Sequence, residues 1–151
     1  MKKIIIASDH GAVALKSEIV SFLQTKNCEV NDLGVNSDDS VDYPDIAVNA
    51  CNEFKKGGYD FGILLCGTGI GMSIAANKVS GVYAALCADT YSAERAIKSN
   101  NANVLTIGAF TTGLEVAKQI VKIWMESVWQ TGTSSEPKVA SFVEYAKKHQ
   151  V

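Results

Sequence analysis

The stretch FGILLCGTGIGMSIAANK, residues 61–78, decides the fold. Its first six residues, FGILLC, form an almost unbroken apolar run that ends at a glycine turn. A short run of this kind reads as a strand buried on both faces. Gly67, Gly69 and Gly71 then alternate with other residues, as in a tight corner. The small and apolar residues that follow, roughly Met72 to Lys78, read as a helix. Strand, corner and helix together make half of a βαβ unit.

The same grammar recurs on both sides. KIIIAS (3–8) is another continuous apolar run. After it, Leu15, Ile19, Phe22 and Leu23 stand at i, i+4, i+7 and i+8, which is one helical face. CEVNDLG (28–34) reads as a strand, followed by a polar loop. Asp42 and Pro44 suit the cap and first turn of a helix whose buried face is Ile46, Ala47, Ala50, Cys51 and Phe54, ending at Gly57-Gly58. GVYAALC (81–87) and NVLTIG (103–108) are two further strands. Asp89 and Thr90 can cap the helix that follows the first of these and runs through Ile97. Thr112 can cap a helix carrying Leu114, Ala117, Ile120, Val121 and Trp124. WQTGTSSEP breaks the pattern before a last helix with Val139, Phe142, Val143 and Ala146. The pattern predicts an α/β fold: a Rossmann-like three-layer sandwich with a five-stranded parallel sheet and a C-terminal helix. No linker or repeat divides residues 1–151, so one domain is expected, and that length suits a single core.

Composition narrows the function. Apolar residues make up 47% and charged residues 20% of the chain, ordinary for a globular protein. No window reaches the roughly 18–20 apolar residues of a membrane span, and the short N-terminal apolar patch runs into Asp9 and His10, unlike a secretory signal. A cytoplasmic location is expected. The formal charge is −2 and the only arginine is Arg95, which argues against a nucleic-acid partner. The four cysteines, Cys28, Cys51, Cys66 and Cys87, form no CxxC pair, and His10 and His149 form no metal motif. Cys28, Cys51 and Cys87 read as small buried hydrophobes.

In parallel α/β sheets ligands bind beyond the C-terminal strand ends, near the point where strand order reverses. That rule nominates Ser8 to Gly11, Asp42-Tyr43, Cys66 to Gly71, Ala88-Asp89 and the turn near Gly108. The spacing G-T-G-I-G differs from both nucleotide-binding fingerprints. It fits a structural corner, or an anion or oxyanion site made of backbone N–H groups. A thiol at the mouth of such a turn can serve as base or nucleophile beside charge-stabilising donors, and Thr68 adds a hydroxyl able to relay a proton. Asp9 can cap a helix or bind a hydroxyl. His10 can be a surface residue or an anion contact.

These residues together resemble a known family. S-D-H-G at 8–11, D-Y-P at 42–44, C-G-T-G-I-G-M-S-I-A-A-N-K at 66–78, Y-S-A at 91–93 and N-V-L-x-I-G at 103–108 are similar to ribose-5-phosphate isomerase B and galactose-6-phosphate isomerase, in one register over nearly the whole chain. The resemblance implies aldose–ketose isomerisation of a sugar phosphate through a cis-enediolate, without metal or cofactor. It implies Cys66 as the base, Thr68 as a proton relay, and Gly67, Gly69 and Gly71 as donors to the enediolate oxygen. Asp9, Tyr43 and Asn100 would contact the sugar, and His10 the phosphate. It also implies a homodimer or homotetramer with sites shared between subunits.

Two departures stand out. Ring-opening members have a histidine where this chain has Ser99. The family's phosphate arginines correspond to Phe110 and to the region of Thr133, Pro137 and Lys138, where Lys138 offers a point charge but no fork. Several readings follow: an isomerase of an open-chain substrate such as a tetrulose or tetrose phosphate, or of a non-furanose sugar; an atypical ribose-5-phosphate isomerase that uses other groups; the cysteine-bearing subunit of a hetero-oligomeric galactose-6-phosphate isomerase, completed by a paralogous chain; a non-catalytic sugar-binding or regulatory protein; or an isomerase of an unphosphorylated sugar.

Overall fold

The protein, described over residues 1–37 and 39–149 by a computed structural model, is built on one sheet. Its strands are β1 (Lys3–Ser8), β2 (Glu29–Asp32), β3 (Phe61–Cys66), β4 (Ala84–Leu86) and β5 (Val104–Gly108), in the order β2-β1-β3-β5-β4. Every pairing is parallel. The helices are α1 (Val13–Thr25), α2 (Tyr43–Lys55), α3 (Ile70–Ala76), α4 (Thr90–Lys98), α5 (Leu114–Glu126) and α6 (Glu136–His149), with a 3₁₀ turn at His10–Ala12.

Strand alternation decides the layers. Ile4, Ile6, Ile63, Leu65, Leu105 and Ile107 pack with α1, α4 and α5 in one core that includes Ile19, Leu23, Ala93, Ile120 and Trp124. The alternate residues Ala7, Leu64, Cys66 and Val104 pack with Ala47, Ala50 and Cys51 of α2 and Met72, Ala75 and Ala76 of α3. Both faces are therefore covered, which is why the central strands read as unbroken apolar runs. β3 is buried at all six positions. Truncating a fully buried residue such as Leu65 to alanine costs about 2–5 kcal/mol.

The three-layer sandwich is the expected one, and the differences lie at element ends. β2 and β4 are shorter than the runs at 28–34 and 81–87, because each lies at a sheet edge with one paired neighbour. α3 begins at Ile70, two residues early, because Gly69 at φ +76° turns the chain straight into it. Asp42 holds the cap position of α2 but its carboxylate makes no capping bond. Thr112 does not cap α5 either. It stands one residue too early, before Gly113, and its buried hydroxyl has no partner among the described residues. Asp89 does cap α4, accepting the Ser92 N–H at 2.7 Å. On α6 only Val139 is buried, because the helix lies outside both sheet-facing cores. Its Phe142 ring packs on Tyr83, with centroids 5.3 Å apart.

After β1 the chain passes through α1 on one face to β2, and after β3 it passes through α3 on the other face to β4, at the opposite edge, so it leaves β1 and β3 in opposite directions. The crevice between their C-terminal ends, at Ser8 and Cys66, is the switch point. Among the described residues no helix is long and apolar enough to cross a membrane.

Candidate active site

Cys66 ends β3 and is 5% exposed. The backbone N–H of Gly69 donates to its Sγ at 3.1 Å. That bond strengthens as the sulfur takes on negative charge. The approach depends on the glycine. A Cβ at Gly69 would lie 2.6 Å from Leu86 Cδ1 and 2.8 Å from the Ile107 carbonyl carbon. Among the described residues no N–H donates to the other thiols. Burial pushes Cys51 up to about 11 and Cys87 up to about 12, and it raises Cys28 as well. Cys51 and Cys87 are the small buried hydrophobes expected, whereas Cys28 is only half-buried, beyond the end of α1 and next to the edge strand β2.

The glycine loop is tied to its neighbours through the backbone. The Ala109 N–H donates to Cys66 O and the Phe110 N–H to Gly67 O, both at 2.8 Å. The Asp9 N–H donates to Leu65 O at 3.2 Å, which fastens the β1 loop beside the thiol. Asp9 caps the 3₁₀ turn through Oδ1, which accepts the Gly11 N–H at 2.9 Å, and Oδ2 has no protein partner among the described residues. His10 is exposed, and the Val41 N–H donates to its Nδ1 at 3.2 Å. The neutral ring therefore carries its proton on Nε2, facing away from that bond. Thr68 is exposed, with Oγ1 accepting the Ile70 N–H at 3.3 Å. Of the loop donors, then, Gly69 faces the sulfur and Ile70 faces Thr68.

Two aromatic rings close on the loop. Tyr43, the first residue of α2, lies over Gly71, where a Cβ would be 2.6 Å from ring carbons. Phe110 lies over Gly67, where a Cβ would be 2.8 Å from its ring, and remains 78% exposed. Sequence reasoning placed Phe110 only as a missing arginine. Its role as a wall on Gly67 was not visible, although the three glycines flanking Thr68 and Ile70 are the sign that something large must approach.

Ser99 and Asn100 lie elsewhere. They follow α4, at the N-terminal end of β5, whereas Cys66 pairs with Gly108 at its C-terminal end. The four residue steps from Val104 to Gly108 alone separate them by about 13 Å. Asn100 lines a cavity of ≈ 450 Å³ along the β4 edge, with Arg95, Ser92, Tyr83 and Phe142. Lys138 is exposed in the first turn of α6, and no hydrogen bond or shared cavity joins it to the thiol among the described residues.

Two further residues were missed. Lys16 is 1% exposed, and its Nζ donates to both Asp32 carboxylate oxygens at 2.6 and 2.7 Å and to Asn36 Oδ1 at 2.5 Å. It falls on the buried face of α1 with Leu15, Ile19 and Leu23, which was its signal. Arg95 donates through Nε to Ser99 Oγ at 2.8 Å, an i,i+4 pair at the end of α4.

Fold and site define a parallel α/β protein with a hydrogen-bonded thiol at the sheet's switch point, hemmed by a carboxylate, an imidazole and two aromatic rings. The chain belongs to the ribose/galactose isomerase family, whose model matches residues 4–142. It is 45% identical to a D-erythrulose-4-phosphate isomerase of Pectobacterium atrosepticum, over 99% of this chain and 100% of that one. It is 42% identical to a ribose-5-P isomerase B of Listeria innocua, over 97% and 99% of the two chains. The solved structure of Clostridium thermocellum ribose-5-phosphate isomerase B superposes with a TM-score of 0.93 at 43% identity, covering 97% of this chain and 99% of that one. The expected fold and the expected class of enzyme, an aldose–ketose isomerase, agree with these relatives.

Proposed function

We propose that this protein interconverts an open-chain aldose phosphate and ketose phosphate, with a four-carbon sugar phosphate as its preferred substrate. The observation that carries the chemistry is Cys66 Sγ, 3.1 Å from the Gly69 N–H, at the mouth of the switch-point crevice. Carbon next to a carbonyl is acidified only when a base and a stabiliser of the new oxyanion act together. Cys66 takes the proton from the hydroxyl-bearing carbon, and the resulting cis-enediolate takes it back on the neighbouring carbon. Thr68 moves the hydroxyl proton between the two oxygens. Backbone donors of Gly67 to Gly71 other than Gly69 and Ile70, which face the sulfur and Thr68, hold the enediolate, while Asp9 Oδ2 and Tyr43 hold sugar hydroxyls and His10 Nε2 faces the phosphate. No metal or cofactor takes part in this scheme.

The substrate reading rests on Ser99. Opening a furanose ring needs an acid–base group, and a serine hydroxyl committed to Arg95 is a poor one. A tetrulose phosphate has no such ring to open. A relative named for that substrate, the D-erythrulose-4-phosphate isomerase of Pectobacterium atrosepticum, supports the same reading.

The site is composite in this proposal. Asn100 reaches a thiol only from a second copy, packed along the open β4 edge. That edge carries exposed Leu86, with Ile70 and Ile74 on α3 and Tyr91 on α4. A closed two-fold dimer covers this surface and completes both sites. Its place would be the cytoplasm, where free thiols persist.

The test is an isomerase assay of the purified chain on D-erythrulose 4-phosphate, ribose 5-phosphate, allose 6-phosphate and galactose 6-phosphate, with sedimentation to give the oligomer. The four-carbon substrate is expected to have the highest kcat/KM, and Cys66→Ala to lower kcat by about 10²–10⁴. Full activity in Cys66→Ala would remove the assigned base. A preference for ribose 5-phosphate would remove the open-chain reading, and activity only with a second, different chain would establish a hetero-oligomer.

A further inference from the structure

We infer that Arg95 is the cation that holds the substrate's phosphate, opposite His10 of the facing copy and in place of groups on the loops at 109–113 and 131–138. Arg95 is the only arginine in the chain and is half-buried. A guanidinium in that position ordinarily meets a carboxylate, yet none of the ion pairs among the described residues includes it. The nearby acids are already engaged. Glu94 binds Lys98. Asp89 accepts both the N–H and the hydroxyl of Ser92, each at 2.7 Å.

Among the described residues the one hydrogen bond of the Arg95 side chain is the donation of Nε–H to Ser99 Oγ at 2.8 Å. This fixes the plane of the guanidinium and leaves the four N–H groups of the two terminal nitrogens, a fork that matches a phosphate. Arg95 and Asn100 line the same ≈ 450 Å³ cavity, which is large enough for a small sugar phosphate, and the Asn100 side chain makes no hydrogen bond among the described residues. Among the described residues the cavity is thus lined by a cation and a neutral amide and by no carboxylate. Its ligand class is a phosphate monoester.

The inference rests on the composite site proposed above, in which this cavity faces the thiol of a second copy. It also deepens the substrate reading. The cation stands beside Ser99, close to the sugar, so it suits a short substrate whose phosphate lies near the reacting carbons.

The test is steady-state kinetics of the full-length enzyme and of Arg95→Met and Arg95→Lys, with inorganic phosphate as a competing ligand. Charge-assisted bonds of this kind predict a KM for the phosphorylated substrate raised about 10- to 100-fold in Arg95→Met, and the inhibition constant of phosphate raised in parallel. The expected change in kcat is small. Arg95→Lys recovers part of the loss, since it keeps the charge without the fork. A purely structural arginine, serving the C-terminal end of α4, predicts lowered Tm with KM and phosphate inhibition unchanged, and that result overturns the inference. Mixing Cys66→Ala with Arg95→Met separates the two proposals. Activity with the wild-type KM returns on mixing only if the two residues act on one substrate from different chains. A raised KM that mixing does not repair overturns the composite site and leaves Arg95 as a phosphate ligand within its own chain. A wild-type enzyme inert on every phosphorylated sugar overturns the activity itself, before any variant is compared.

Discussion

Gly69→Ala tests the geometry on which the thiol depends. Two separable costs arise. Gly69 has φ +76°, a left-handed conformation that costs a residue with a Cβ about 1–2 kcal/mol. The new methyl would also lie 2.8 Å from the Ile107 carbonyl carbon and 3.0 Å from the Gly108 nitrogen. These are backbone atoms of a buried strand and cannot swing aside. Overpacking of that kind costs about 1–3 kcal/mol. The sum is about 2–5 kcal/mol, or roughly 5–20 °C in Tm for a chain of this length.

Two reference variants isolate the terms. Gly81 has φ +83° and nothing within 4 Å of an added Cβ, so Gly81→Ala carries the backbone cost alone, about 1–2 kcal/mol. Gly67 meets only the Phe110 ring at 2.8 Å. That ring is 78% exposed and can rotate away, so Gly67→Ala is expected to cost under about 1 kcal/mol. Urea unfolding followed by circular dichroism gives all three on one scale. The expected order is Gly69 worst, then Gly81, then Gly67. If Gly69→Ala were no worse than Gly81→Ala, the loop would be able to relax away from β5, and the claim that β5 holds the N–H against the sulfur would fail.

Three other outcomes follow from the same structure. Burial raises Cys51 to about 11 and Cys87 to about 12. An unfolded thiol titrates near 8.5–9, so the folded state holds more protons above that pH; this stability is complete below about pH 8.5 and declines as pH rises toward the folded values. Unfolding free energies measured between pH 8 and 10.5 are expected to fall, and to fall less steeply in Cys51→Ala/Cys87→Ala; equal slopes would contradict it. Lys16→Met strands the Asp32 carboxylate, and a broken buried pair costs about 3–5 kcal/mol, with the lower end expected here because the Asp32 side chain is 30% exposed; Lys16→Met/Asp32→Asn should recover part of the loss in a urea titration. Gly71→Ala drives a methyl into the Tyr43 ring. If Tyr43 holds a sugar hydroxyl, KM rises with little change in Tm, whereas an unchanged KM would free Tyr43 from that role.

How much of this was readable depended on what each residue had to satisfy. β1, β3 and β5 are covered on both faces, so their sequences are apolar throughout and their existence was plain. The ends of β2 and β4 were not, because an edge strand can stop wherever its single partner does. The turn at Gly67 to Gly71 was legible as a corner, since the glycines advertise it. Which N–H meets the sulfur was not, because that depends on Leu86 and Ile107, residues distant in sequence. Lys16 carried a signal that apolar counting overlooks, a charge on an inward stripe. Ser99 and Asn100 could be singled out only through the resemblance. Their position at the wrong end of β5 for Cys66 is a fact of topology that no local pattern contains.

That topology also bears on how such a chain can change its substrate. The thiol end is built almost wholly from backbone. Cys66 O, Gly67 O and Leu65 O each accept a main-chain N–H from a neighbouring loop, and Gly69 has no room for a side chain. A substitution there is paid in stability before it alters chemistry. The α4 end is built from side chains at a helix terminus, where Ser99 is half-buried and Asn100 exposed, and surface changes ordinarily cost within about 0.5 kcal/mol. The two ends meet only across a proposed interface between copies. If the proposed site holds, selection for a new sugar therefore meets less resistance at the α4 end, least at exposed Asn100, than at Cys66 to Gly71. In the proposed site, an isomerase assembled this way can exchange the groups assigned to grip its substrate while Cys66, the proposed base, stays where β3 and β5 put it.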